Sequence, residues 1–313
     1  MTPTIALSGD PGRAPVADGG AARWYRTDGG AALVLLAPML LLFACSVVYP
    51  LVETIRLSFY DARGLGVPRW VGLRNYMTLA ADPSFRSSLL ATLIWSLATT
   101  ALSVGIGWGL AILCAFAPRA TSPLRLMIFS AYGIAEAVSG FIWLGIYRPD
   151  EGGLLNAILG AVGLGSLQHA WLGDPSTALA GIIVAYAWTQ VGLPLMTCFA
   201  AVRTIPKSIF EAAYIDGARP LSLMRHILVP LSLPGLSVAV FINLLNSLRA
   251  FDMIFVLTGG GPARTTETVG YFMYRESMLQ FKLGYGAAAT VVLLLAVFLV
   301  SIPLLRQRTA EAT

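Results

Sequence analysis

Long apolar runs alternate with shorter polar segments along most of this chain, and their spacing predicts the fold. Each run holds the roughly 20 residues that a helix needs to cross a hydrocarbon core of about 30 Å. The runs cover residues 31–52, 89–116, 126–147, 178–202, 231–257 and 285–305. Lipid offers the backbone no hydrogen bonds, so helices are the form that such runs take. The pattern predicts an all-α polytopic membrane protein with six transmembrane helices.

The segments outside the runs predict the domain organisation and the orientation. Residues 1–30 are rich in Gly, Pro, Ala and Asp, which is typical of a disordered tail. Residues 31–308 then form one transmembrane domain. Six spans place both termini on the same side, and the short basic connection 117–125 favours the cytoplasm for that side. We therefore expect a multi-pass protein with a cytoplasmic tail and both termini cytoplasmic.

Composition narrows the functional classes. The 313 residues are 57% hydrophobic and only 12% charged, whereas soluble domains carry about 25% charged residues. The net charge is +5, but the arginines are scattered through the loops, so we expect no nucleic-acid partner. Cys45, Cys114 and Cys198 lie inside apolar runs, and His169 and His226 have no metal-ligand spacing. Neither a disulfide framework nor a metal site is predicted.

One patterned polar segment, residues 203–230, separates the fourth and fifth runs. Pro206 suits a first helical turn, Gly217 breaks the helix, and Pro220 suits the start of a second helix. The spacing alone leaves two interpretations open. The segment is either an interfacial amphipathic hairpin that anchors the loop or a small helix that docks into a partner's groove. In the second case Glu211 and Asp216 offer carboxylates to basic groups at the rim.

The same segment carries a specific motif. Glu211-Ala212-Ala213 is followed after three residues by Gly217, and after nine more by Ile227-Leu228-Val229-Pro230. This order resembles the cytoplasmic EAA loop of binding-protein-dependent ABC importer permeases, with Val229 where leucine is usual. The resemblance implies that seven residues couple the permease to an ATPase: Glu211, Ala212, Ala213, Asp216, Gly217, Ile227 and Pro230.

The resemblance extends over nearly the whole chain, to the carbohydrate-uptake branch of that family. Residues 70–76 resemble its F-V-G-L-x-N-Y loop, residues 251–262 its F-D-x-I-x-x-L-T-x-G-G-P segment, and residues 284–288 its G-Y-G-A-A entry into the last span. The resemblance implies a five-helix importer-permease core plus an N-terminal helix, in a bacterial inner membrane. It also implies that the segment 203–230 is cytoplasmic.

The energy for transport must come from another chain. No G-x-x-x-x-G-K-[ST] phosphate cradle is present, and neither Lys207 nor Lys282 follows a glycine. We therefore expect no cofactor bound directly. The resemblance implies ATP-Mg²⁺ on a partner ATPase dimer, with a second permease subunit and an extracytoplasmic solute-binding protein, all at the lipid membrane.

Charged residues in the predicted spans are candidates for the substrate pathway. Glu136, Arg249 and Asp252 interrupt apolar runs, where a charge costs at least about 2.5–3.5 kcal/mol on insertion scales. Relatives commonly carry proline near the position of Glu136. One interpretation pairs Glu136 with Arg249 or with a neighbouring helix. The other places one or both along the pathway, bonded to sugar hydroxyls.

The resemblance adds further pathway candidates. In maltose-type relatives the substrate pocket is built from the fourth and fifth spans. The matching positions in this chain are Trp188, Gly192, Leu195, Asn243, Ser247 and Ala250. The ring of Trp188 can stack on a sugar, although a single Trp in a span is also explained by packing.

These features predict a transport subunit, not an enzyme: a permease of an ATP-driven carbohydrate importer. An alternative within transport is a permease for glycerol 3-phosphate or another polyol, in which Arg249 attracts the anion. The alternative from another class is a membrane-embedded enzyme or receptor with an interfacial hairpin. An enzyme needs clustered nucleophiles or metal ligands in its spans, and the sequence offers none.

Overall fold

The computed structural model describes residues 28–116, 119–150 and 152–311. Helices dominate this part of the chain, which confirms the predicted all-α class. The helices are α1 (Asp28–Phe43), α2 (Tyr49–Leu57), α3 (Arg74–Ala81), α4 (Pro83–Phe116), α5 (Ser122–Tyr132), α6 (Glu136–Ile146), α7 (Leu154–Ala161), α8 (Ala178–Gln190), α9 (Gly192–Arg203), α10 (Lys207–Ile215), α11 (Pro220–Leu223), α12 (Val229–Arg249), α13 (Asp252–Leu257), α14 (Val269–Tyr274) and α15 (Leu283–Glu311). The strands are β1 (Tyr60–Asp61) and β2 (Arg69–Trp70). Short π-helical turns lie at Ala44–Val48, Met224–Leu228 and Arg275–Leu279, and a 3₁₀ turn lies at Gly165–Leu167.

Four described helical stretches are long and apolar enough to cross a membrane, or six if each of two bent pairs is one span. The unbroken stretches are Leu35–Leu57, Pro83–Phe116, Leu221–Arg249 and Leu283–Ile302. The helices α5 and α6 form one bent pair, with an angle of 101°, and α8 and α9 form the other, with an angle of 44°. The larger count agrees with the six predicted spans.

The described chain divides into two compact units between Glu53 and Thr54. The described part of the first unit begins with α1, and the apolar window of Leu35–Leu57 contains no buried residue. A helix that is apolar and unburied in this way is suited to lipid. The disordered tail predicted for residues 1–30 lies outside the described residues, except for 28–30, which begin α1.

The second unit is organised around α4, α9 and α12. Small residues allow these helices to approach closely, as is typical in membranes. A Cβ atom added to Gly107 would lie 2.7 Å from the Cβ of Pro194, and one added to Gly235 would lie 2.5 Å from the Cβ of Ala201. The indole of Trp108 donates to Ser232 Oγ at 2.9 Å, which ties α12 to α4.

One end of the second unit, residues 58–86 with residues 258–285, is called here the hairpin end. Strands β1 and β2 pair antiparallel, with Tyr60 opposite Trp70. Two buried carboxylates lie at this end. Arg275 bonds to Glu267 at 2.9 Å and to Glu276 at 2.9 Å, and Lys282 bonds to Glu276 at 2.9 Å.

Two predicted runs have different boundaries in the structure. The run 126–147 is broken at residues 133–135 into α5 and α6, so it is not one straight span. The run 231–257 instead starts at Leu221 and stops at Arg249, because Ala250 leaves the helix with φ −61° and ψ 126°. Pro230 and Pro234 lie inside α12.

Candidate functional site

Three helix breaks meet at one cavity of about 490 Å³, called here the break cavity. Tyr132 and Ile134 come from the break between α5 and α6, and Gln190 is the last residue of α8. Ala250 and Phe251 come from the break between α12 and α13. Irregular backbone in membrane proteins is tolerated where it lines a cavity, and interrupted helices mark solute sites in many transporters.

Three charged side chains line the break cavity, and each lies at a helix end. Glu136 begins α6, Arg249 ends α12 and Asp252 begins α13. The negative charge of Asp252 repels the Glu136 carboxylate, and the positive charge of Arg249 attracts it. Arg249 Nη2 donates to Asn246 Oδ1 at 2.9 Å. Within the described part of the chain, no ion pair joins Glu136 to Arg249, so the interpretation that pairs these two residues with each other is not supported by the geometry.

The break cavity opens on the surface of this chain. Arg249 and Asp252 are exposed, while Glu136 is half-buried. A charge that faces acyl chains is costly, and charged residues in or beside spans therefore face water or protein. The face that carries Arg249 and Asp252 is accordingly suited to a water-filled pathway or to a neighbouring subunit.

Sequence reasoning missed several polar residues of the break cavity. Thr189 and Gln190 are buried, with 2% and 5% of their surface exposed. Thr189 Oγ1 donates to the carbonyl of Tyr186 at 2.7 Å, whereas Gln190 Oε1 has no hydrogen-bond partner among the described residues. Asn246, bonded to Arg249, also lines the cavity. The sequence signal that could have identified these residues is their polar character inside runs that are otherwise apolar.

Two predicted pathway residues lie away from the break cavity. Trp188 lines a separate, mostly apolar cavity of about 510 Å³, and its ring lies 6.0 Å from that of Trp143. Leu195 is fully buried in the core beside Cys198. The structure therefore brings together Glu136, Arg249 and Ala250 but not these two.

The other predicted pathway residues hold helices together. A Cβ atom on Gly192 would lie 2.9 Å from the Cα of Phe129, so Gly192 permits close approach of α5 and α9. Asn243 Oδ1 accepts from Ser103 Oγ at 3.0 Å. The carbonyl of Ser247 accepts from Trp95 Nε1 at 3.0 Å. Both bonds join α12 to α4.

The second candidate region is the segment 203–230, called here the coupling loop. Its first helix is α10, and Gly217 then takes φ +75° before α11 starts at Pro220. A left-handed φ of this kind costs a residue with a side chain roughly 1–2 kcal/mol. The break predicted at Gly217 and the helix start predicted at Pro220 are therefore both present.

The two sides of α10 have different surroundings. Ala213 is 9% exposed and belongs to a core cluster with Val202, Leu223 and Leu228. Several other residues of the coupling loop are exposed: Glu211, Ala212, Tyr214, Ile215, Asp216, Gly217, Leu221 and Pro230. Ile227 is half-buried against the same cluster. Exposed apolar side chains gathered on one surface are typical of an interaction site.

Bent apolar spans around a polar cavity, with one exposed helical loop, define a polytopic membrane protein of the solute-transporter class. Residues 107–309 match the family described as the binding-protein-dependent transport system inner membrane component. The chain belongs to this family. It is therefore a multi-pass permease subunit of an ABC transporter, and a separate ATPase hydrolyses the ATP. The prediction of a transport subunit is confirmed, and the membrane-embedded enzyme is not supported.

Curated relatives cover most of the chain. A probable ABC transporter permease protein of Pyrococcus horikoshii is 36% identical over 276 residues, which cover 87% of this chain and 94% of that protein. The sn-glycerol-3-phosphate transport system permease protein UgpA of Agrobacterium fabrum is 33% identical over 84% of this chain and 89% of that protein. The trehalose/maltose transport system permease protein MalF of Thermococcus litoralis is 28% identical over 86% of this chain and 89% of that protein.

A solved structure has the same fold. A chain of a bacterial alginate ABC transporter, crystallised with an alginate pentasaccharide-bound periplasmic protein, matches with a TM-score of 0.76. The match covers 90% of this chain and 95% of that chain, at 17% identity. At this identity the likeness concerns the fold alone.

Proposed function

We propose that this chain forms half of the translocation pathway of an ATP-driven carbohydrate importer. The second half is a second permease subunit, energy comes from a cytosolic ATPase dimer that holds ATP-Mg²⁺, and an extracytoplasmic protein delivers the solute. This chain binds no cofactor itself. The observation that carries the proposal is the coupling loop, which exposes apolar side chains on a helix that is anchored to the membrane core.

The anchoring of α10 supports a rigid mechanical connection. Ala213 packs in one cluster with Ile112, near the end of α4, and with Val202, near the end of α9. A displacement of α10 is therefore transmitted to α4 and α9, two of the three central helices. Packed cores of this kind move as bodies and do not deform continuously. Closure of the ATPase dimer would in this way reorient α4 and α9.

The proposed orientation places the coupling loop and both termini in the cytoplasm and the hairpin end outside. The basic connection between α4 and α5 supports this orientation, since Arg119 and Arg125 lie near the same end of the bundle as the coupling loop, together with Arg203 and Lys207. The relatives that are named for trehalose/maltose and for glycerol 3-phosphate support a carbohydrate or polyol solute.

The test of coupling is charge reversal at Glu211 in the transporter reconstituted in liposomes. We expect Glu211→Lys to leave the protein in the membrane but to abolish ATP-dependent uptake, because the exposed carboxylate faces basic groups of the ATPase. Asp150→Lys is the matched control, since it makes the same charge change at another exposed position. Normal uptake by Glu211→Lys would contradict the coupling role.

A second readout separates coupling from assembly. ATP hydrolysis and co-purification of the ATPase are measured on the same Glu211→Lys preparation. Loss of uptake with the ATPase still bound indicates uncoupling, while loss of the ATPase indicates a broken interface. Either result supports the proposal. Failure of the unmodified chain to retain any ATPase in detergent would overturn it.

A further inference from the structure

We propose that the break cavity excludes anions and receives the hydroxyl or ammonium groups of a sugar. This inference rests on the proposed function and specifies the class of solute. The cavity is lined by two carboxylates, Glu136 and Asp252, and by one guanidinium, Arg249. Among the described residues that line it, no other side chain carries a formal charge. An anion in the cavity would therefore meet one positive charge and two negative charges of this chain.

The single cation has one hydrogen-bond partner within the chain, since Arg249 donates to Asn246 Oδ1 at 2.9 Å. A phosphate or carboxylate group that approached Arg249 in the cavity would also approach the carboxylates of Glu136 and Asp252. Repulsion between like charges grows as the local dielectric falls, so it is stronger in a cavity between apolar helices than in bulk water. Because Glu136 and Asp252 outnumber Arg249 in the cavity, their repulsion opposes the binding of an anionic solute at Arg249.

The uncharged groups of the cavity point to a solute that donates hydrogen bonds. Gln190 is 5% exposed, lines the cavity, and leaves its Oε1 without a partner among the described residues. A buried acceptor without a partner costs about 1–3 kcal/mol, which is recovered when a donor arrives. Ionised carboxylates accept hydrogen bonds and cannot donate them. Hydroxyl and ammonium groups match these acceptors, and phosphate oxygens do not.

The test measures the charge preference of the cavity without knowledge of the solute. Ile134 lines the cavity, and Ile134→Cys provides a thiol there, called here the cavity thiol, in a chain whose Cys45, Cys114 and Cys198 are replaced by alanine. The assembled transporter in detergent is labelled with a trimethylammonium or a sulfonate methanethiosulfonate of similar size. We expect the ratio of the cationic to the anionic rate to be about tenfold higher than at a reference thiol outside the cavity, as one net charge at close range allows.

Matched variants assign the preference to the named residues. Leu65→Cys, on the fully exposed tip of the hairpin end, provides a reference thiol that gives the ratio of the two reagents outside the cavity. Glu136→Gln or Asp252→Asn alone leaves no net charge among the described residues that line the cavity and should bring the ratio at the cavity thiol close to that of the reference thiol. Arg249→Gln should increase the preference for the cationic reagent. None of these changes should affect the ratio at the reference thiol.

Three results would overturn the inference: a ratio at the cavity thiol equal to the reference, faster reaction with the sulfonate, or no reaction at the cavity thiol while the reference thiol reacts. Labelling does not depend on ATP, so the uncoupled Glu211→Lys variant should keep the same ratio. A cationic preference in the unmodified transporter without any ATP-dependent uptake would therefore contradict only the proposed function. Normal uptake with a ratio at the cavity thiol equal to that of the reference thiol would contradict only the charge selectivity.

Discussion

The hairpin end and the coupling loop differ in how their charged side chains are paired. At the hairpin end, the buried Glu267 and Glu276 share Arg275, and Lys282 completes the network. In the coupling loop, no ion pair is present among the described residues, and Ile215 and Leu221 are 86% and 71% exposed. Both regions expose apolar side chains, since Leu65 at the hairpin end is also fully exposed, but only the hairpin end pairs its buried charges within the chain.

This difference shows which region depends on a partner. A buried ion-pair network stabilises a geometry only while all its members are present, because a lone buried charge is costly. An exposed apolar face contributes little to the stability of the isolated chain and becomes favourable when another protein covers it. Substitutions at the hairpin end should therefore affect folding first, and substitutions in the coupling loop should affect transport first.

The largest expected effect is the loss of transport in Ile215→Asp. Ile215 is 86% exposed on α10, and a carboxylate there would have to be desolvated in the interface with the ATPase. We expect uptake by proteoliposomes to fall by at least about tenfold, the equivalent of one lost contact of about 1.4 kcal/mol. The thermal midpoint of the isolated chain should change little, since surface substitutions usually stay within about 0.5 kcal/mol.

Leu65→Asp is the matched control for this prediction. It makes the same kind of change at the fully exposed tip of the hairpin end. We expect near-normal uptake and an unchanged thermal midpoint from this variant. Equal losses of uptake from the two variants would remove the functional distinction between the two regions.

The next effect is on stability, at the hairpin end. Glu267 is 2% exposed and accepts two bonds from Arg275 and one from Ser88 Oγ. Glu267→Ala removes a buried partner of Arg275, which keeps its bond to Glu276, and should cost about 3 kcal/mol of the free energy of unfolding. Thermal unfolding in detergent measures the loss. Glu211→Ala, at an exposed position of the coupling loop, should leave the midpoint unchanged, and an equal decrease in both variants would contradict the proposed difference.

Some of this contrast could be predicted from the sequence. The turn at Gly217 and the helix start at Pro220 follow from the backbone preferences of glycine and proline, which are local. The all-α class follows equally from the length of the apolar runs. The burial of Glu267 and Glu276 could not be predicted, because it depends on Arg275 and on helices far away in the sequence.

The break cavity shows a second limit of prediction. The run 126–147 contains no proline, and the local signals at its break are Gly133, which caps α5, and Glu136, which begins α6. The convergence of three breaks is a tertiary feature that no single segment encodes. Trp188 was expected at the pathway, but it precedes Gln190 by two residues, which rotates it by about 200° around the helix. The cavity therefore receives Gln190, while Trp188 faces the apolar cavity on another side.

The smallest expected effect is a response to acid in the loop between α7 and α8, a further region whose charged groups are bonded within the chain. The Asp174 carboxylate accepts from the backbone N–H and Oγ of Ser176, both at 2.7 Å, and bonds to His169 Nε2 at 3.0 Å. The bonds from Ser176 and then the contact with His169 hold the pKa of Asp174 below its ordinary value of 3.8. A carboxylate with a lowered pKa stabilises the folded loop above the unfolded value, and that contribution is lost as the pH falls through the folded pKa.

Hydrogen exchange of two peptides measures this response. Exchange in residues 168–177, corrected for the intrinsic rate, should increase relative to residues 207–217 as the pH falls below about 4. Asp174→Asn removes the titrating group, so its loop should exchange faster at neutral pH and lose the additional acid response. If the variant kept the same pH dependence as the unmodified chain, the Asp174 carboxylate would not be what holds this loop, and the contrast with the coupling loop would be restricted to the hairpin end.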